Sequence, residues 1–144
     1  MANTRLLTTE VENYVRSVLQ EKHGIEFSKQ RLELLSGGVH EFDAVSSDRT
    51  IVTSIKSASG MTSGGNLTSG KINSALAELY FLTLVKAPIR ELILTTEEFH
   101  RILSRNLTGK IASGIELIHL PLPPELQARV SEVQRIAGAE VSPL

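Results

Sequence analysis

Residues 40–60, HEFDAVSSDRTIVTSIKSASG, set two short apolar runs on either side of an Asp48-Arg49 turn. Runs of this length, rich in Val, Ile, Phe and Thr and bounded by turn residues, read as strands. The first carries an aspartate, Asp43, between Phe42 and Ala44, and the second ends on a lone lysine, Lys56. Buried acids and ammonium groups are costly unless paired with each other, with a metal or with a ligand. These strands therefore carry chemistry as well as core.

Outward from this pair, RLELLS followed by Gly37-Gly38 supplies a preceding strand, which makes a three-stranded antiparallel meander. Upstream, Val11, Tyr14, Val15, Val18 and Leu19 recur at helical spacing over about Thr8 to Lys22, with Gly24 as the stop. Downstream, residues 57–70 are Ser, Gly and Thr apart from Ala58, Met61, Asn66 and Leu67, a loop composition expected to form a flap over substrate. A long apolar helix from about Lys71 to Val85 stops before Pro88. Then follow strand (Glu91–Thr95), helix (Glu97–Arg105), strand (Ile115–Leu120), helix (about Pro124 to Ala137) and a frayed Ser-Pro-Leu tail. The expected fold is α/β: a mixed central sheet flanked by helices, with an α-β-β-β-α-β core and a C-terminal α-β-α extension.

The chain has 144 residues, which suits one domain, residues 1–144. With 41% apolar and 22% charged residues it has the make-up of a soluble globule, and no apolar run nears the roughly 20 residues that span a bilayer. No export signal opens the sequence, so the cytoplasm is the expected location. The absence of cysteine removes thiolate metal sites and thiol nucleophiles, leaving oxygen and imidazole as metal donors. A net charge of −1 gives no global nucleic-acid footprint, although a local basic cleft is compatible with it.

Strict alternation puts Glu41, Asp43 and Val45 on one face of the second strand and His40, Phe42 and Ala44 on the other; Val52, Ser54 and Lys56 share a face of the third. Asp43 and Lys56 then meet if the register suits. Phosphodiester hydrolysis needs charge neutralisation and a hydroxide near neutral pH, which Mg²⁺ held by carboxylates supplies. A lysine adds a cation for the attacking water or the transition state. Asp43 is one carboxylate and Lys56 the cation, but Ser54 stands two residues before the lysine, where a second acid is wanted. At about 100° per residue, Glu78 falls inside the apolar arc of the 71–85 helix, between Val85 and Leu82, and so is aimed at the sheet. Glu10 and Glu12 offer a further acid in the first helix, where the helix dipole favours glutamate in any case.

These residues resemble the PD-(D/E)XK superfamily of restriction-endonuclease-like phosphodiesterases. GGVHEFDAV looks like the strand whose aspartate binds metal, and TIVTSIKS like the strand ending in the lysine. Ser54-Ile55-Lys56 with Glu78 is similar to a subgroup that carries Ser-x-Lys and moves its glutamate to the next helix. The first helix, with Glu12, is similar to that of the Holliday-junction-resolvase branch. Together they imply a metal-dependent DNA endonuclease using Mg²⁺ or Mn²⁺. Asp43 and Glu78 would be its ligands with Glu12 in support, Lys56 would position water, and Ser54 would assist. DNA is the expected partner and a homodimer the expected assembly. The open alternative is an inactive nuclease-fold module that binds DNA or a protein, and Ser54 favours it.

Gly65-x-x-x-x-Gly70-Lys71 has P-loop spacing, but Ile72 replaces the Mg²⁺-binding Ser or Thr and ELILTT ends without an acid, so no nucleotide cofactor is expected. Lys71 at a helix start is kept as a contact to DNA phosphate. His40 and His119 read as core or surface residues, with no metal spacing around them.

Overall fold

The computed structural model describes residues 3–57 and 69–141. Most of the Gly/Ser-rich stretch read as a flap, and the Ser-Pro-Leu tail, lie outside them. The elements are α1 (Asn3–His23), β1 (Phe27–Glu33), β2 (Val39–Ser46), β3 (Ile51–Lys56), α2 (Ser69–Thr83), β4 (Ile89–Leu94), α3 (Glu97–Asn106), β5 (Ile115–His119) and α4 (Pro124–Val141). The expected α/β layout is the one observed, a mixed five-stranded sheet with helices on both faces.

The sheet runs β1-β2-β3-β4-β5, antiparallel through β3 and parallel from there on. Since β3, β4 and β5 are consecutive neighbours, their same-handed crossovers place α2 and α3 on one face. Ala75, Leu79 and Leu82 of α2 and Phe99 and Leu103 of α3 close over Phe42, Val45, Val52, Leu92 and Leu94. On the other face, Val11, Val15 and Leu19 of α1 and Leu126 and Val130 of α4 pack on Phe27, Ala44, Ile51, Ile55 and Ile93. Burying side chains of this size stabilises by about 1.5–3 kcal/mol each.

Local sequence sets the ends of several elements. Thr96 caps α3, its hydroxyl accepting from Phe99 N at 3.4 Å, and Glu97 and Glu98 follow in the first turn where the dipole favours acids. Gly24 ends α1 at φ +69, donating to Gln20 O. The β2–β3 turn is fastened by Asp48, whose Oδ1 accepts from the Ser46 and Thr50 hydroxyls and from Thr50 N. β1 starts earlier than RLELLS suggested: only Phe27 and Leu32 are buried, and the exposed Lys29, Arg31 and Glu33 guard a sheet edge.

The strict alternation expected along β2 is corrected by a β-bulge. Gln30 pairs with Phe42 and Ser28 with Val45, so β2 spends three steps where β1 spends two. Phe42 and Val45 consequently both face the α2–α3 layer, and Ala44 between them faces α1 and α4. Asp43 sits in this irregularity. Among the described residues no helix is long and apolar enough to cross a membrane.

Candidate active site

β2 and β3 pair only at Ala44–Thr53 and Val45–Val52. Past these rungs a side chain takes over, and Asp43 Oδ2 accepts the Ile55 N–H at 2.8 Å. The backbone of Asp43 is pinned from the α1 side, where Arg16 Nη1 donates to its carbonyl at 2.7 Å. Burial pushes the Asp43 carboxyl up to about 6; the Ile55 hydrogen bond opposes this, the charges of Glu12 and Glu78 add to it, and Lys29 offsets part. Asp43 thus senses an acid from α1 and an acid from α2.

Glu78 lies where its misplacement on the helical wheel put it. Its side chain is 18% exposed and turned onto the sheet. Oε1 accepts from the fully buried Ser54 hydroxyl at 2.9 Å and lies 3.2 Å from His40 Nε2. A carboxylate only accepts, so the imidazole carries its hydrogen on Nε2. The His40 ring is stacked on Phe81 with centroids 4.0 Å apart and meets Phe42 edge-on at 4.8 Å. No arginine draws Glu78 away among the described residues.

Lys56 and Asp43 are not joined directly. The charged groups that bear most on Asp43 are Glu12, Glu78 and Lys29, and Lys56 Nζ donates to Ser74 Oγ at 2.7 Å. Lys56 opens instead on a cleft of about 360 Å³, lined by Lys56, Ser57, Lys71, Ser74, Phe99 and Gln134. Lys71, the expected phosphate contact, is here, its ammonium pushed below the ordinary lysine range by burial. Glu12 is buried near Asp43 but already neutralised, with Lys29 Nζ at 2.9 Å and Arg16 Nη1 at 3.8 Å. Glu10 belongs elsewhere, bound by both Arg129 Nη atoms on α4 at 2.7 and 2.8 Å.

Asp43, Ser54 and Glu78 therefore gather at the seam, Lys56 and Lys71 line the adjoining cleft, and Glu12 stands behind with its own cations. Among the described residues no group of three or more His, Cys, Asp or Glu side chains is close enough to hold an ion. Sequence reasoning missed His40, Arg16, Lys29 and Ser74. Only Arg16 left a signal, four residues after Glu12 on one helix face. Comparison of the chain with protein-family models, with curated proteins and with solved structures returns no match in any of the three.

Proposed function

We propose that the chain is a metal-dependent DNA endonuclease of the PD-(D/E)XK type. The observation that carries this reading is Glu78: an acid on the helix after β3, turned inward and bound by Ser54 two residues before Lys56. In this reading Glu78 serves as the relocated second carboxylate, and its charge adding to the rise of the Asp43 carboxyl supports that assignment.

The residues fit Mg²⁺ or Mn²⁺ in chemistry. Asp43, Glu78 and Ser54 offer hard oxygen donors, and the Asp43 carboxyl is raised first by burial and then by the charges of Glu12 and Glu78. Asp43 and Glu78 would hold the ion, which when bound would neutralise phosphate charge and lower the pKa of a water. With few protein ligands the ion would keep several waters, as Mg²⁺ commonly does. Lys56 and Lys71 would bind the DNA phosphate in the cleft between them, and Ser54 would keep Glu78 in place. Activity on both strands of a duplex suits a homodimer, and a cytoplasmic location goes with the reading.

The test is nicking of supercoiled plasmid by the full chain with Mg²⁺, with Mn²⁺ and with EDTA. Cleavage with either metal, reduced at least 100-fold by Asp43→Ala, Glu78→Ala and Lys56→Ala, is the expected outcome. Wild-type protein that cleaves nothing with either metal would overturn it. DNA binding without cleavage would favour the inactive module, for which the serine at position 54 and the cation-paired Glu12 speak.

A further inference from the structure

We infer that His40 is a positioning residue for Glu78: its Nε2–H and the Ser54 hydroxyl hold one carboxylate oxygen so that the other is left for a divalent cation. This rests on the metal-dependent reading above, and adds to it a residue outside the acid, serine and lysine set.

Both hydrogen bonds end on the same atom. Ser54 Oγ donates to Oε1 from β3 at 2.9 Å, and His40 Nε2 reaches Oε1 from β2 at 3.2 Å. Oε2 has no partner among the described residues. A glutamate on a helix has three rotatable side-chain bonds and would otherwise sample several rotamers. Two donors approaching from different strands restrict it to one orientation across the seam.

The imidazole is itself fixed. Its ring lies nearly parallel to Phe81, at 17°, and Phe81 is three residues beyond Glu78 on α2. Phe42 closes its edge. Helix and strand thereby hold the donor and the acceptor in one frame: α2 supplies Glu78 and the ring beneath the histidine, and β2 supplies the histidine. Outer groups of this kind typically contribute 10- to 100-fold to metal affinity or activity, because they remove the freedom the ligand would lose on capturing the ion.

The experiment uses the full chain. His40→Phe keeps an aromatic ring for Phe81 and deletes the donor, and His40→Gln restores a side-chain N–H. Mn²⁺ binding is titrated calorimetrically without DNA, and plasmid nicking gives kcat and KM separately. His40→Phe is expected to weaken Mn²⁺ binding at least about 10-fold and to lower kcat while KM for DNA stays near wild type; His40→Gln is expected to recover most of the affinity. His40→Leu, which deletes the donor in a smaller side chain, takes the place of the phenylalanine variant if that chain does not fold. Wild-type protein that binds Mn²⁺, with donor-less variants binding equally well, would overturn this inference alone. So would a His40→Gln variant as weak as His40→Phe. Wild-type protein that takes up no Mn²⁺ would bring down the nuclease reading and this inference together.

Discussion

The carboxylate of Asp43 occupies a rung of the sheet, taking the Ile55 N–H at 2.8 Å where the β2–β3 ladder has ended. Burial and two nearby acids hold that carboxyl at about 6, above the roughly 3.9 of an unfolded chain. A raised folded value means that the native state favours the protonated form. The contribution of Asp43 to stability is therefore most favourable below about pH 4, declines as the pH rises through about 6, and is at its worst above that. Asp43→Asn keeps an oxygen for Ile55 and removes the charge. It is expected to stabilise the metal-free protein by about 2–3 kcal/mol at pH 7.5 and by nothing measurable at pH 3.5, read by urea unfolding at both values.

A divalent ion at the seam would offset the charge of the buried Asp43 carboxylate and of Glu78. Adding Mg²⁺ to the wild-type chain at pH 7.5 is expected to raise its melting temperature, by about 2.7 kcal/mol of stability at one hundred times the dissociation constant. Asp43→Asn should flatten that response. Equal shifts in both proteins would place any bound ion elsewhere.

Glu91 on β4 is a second buried acid, 6% exposed, and lies outside the seam. Burial pushes its carboxyl up; Lys22 and His23 of α1 pull it down, Glu116 on β5 adds to the rise, and Thr53 Oγ1 is a distant donor at 3.5 Å. The sign is that of Asp43. Glu91→Gln should melt higher than wild type near neutral pH, with the difference shrinking as the pH falls toward 4, in a series of thermal melts. A variant that melts lower at pH 7 would show that the Lys22 charge and the Thr53 contact outweigh burial.

Gly114 stands before β5 at φ +87, and a Cβ there would come within 2.7 Å of Arg90 Nη2. That guanidinium ties two carbonyls together, donating to Leu82 O near the end of α2 at 3.0 Å and to Ser113 O at 3.2 Å. Gly114→Ala adds backbone strain to a displaced arginine. A loss of about 1–3 kcal/mol in denaturant unfolding is expected, and an unchanged midpoint would refute it.

Phe99 anchors α3 in the α2-side core at 1% exposure and also walls the Lys56 cleft. Phe99→Ala is expected to cost about 3–5 kcal/mol, since it leaves a cavity as well as removing a buried ring. Equilibrium unfolding checks the magnitude.

The order of the elements was legible because hydrophobic period changes from two to about 3.6 between punctuating glycines, prolines and Asp48-Arg49. The oddness of Asp43 inside an apolar run, and of Glu78 inside an apolar arc, could be read from spacing alone, and both side chains are turned inward. The start of β1 was hidden because an edge strand with Lys29, Arg31 and Glu33 lacks the alternation that marks a half-buried one. What could not be read were contacts between residues far apart in the chain. His40 meets Glu78 across 38 positions and Lys56 meets Ser74 across 18, and packing alone decides such pairs. The extra residue in β2 was equally invisible, because it exists only relative to the partner strand.

That surplus residue also sets what drift can do to this chain. Removing one codon between Phe42 and Val45 would restore the regular period of two, in which both completely buried anchors still face one layer, but it would delete Asp43 or Ala44. The core alone therefore does not require the kink; what depends on it is the seat that carries the Asp43 carboxylate to the Ile55 N–H.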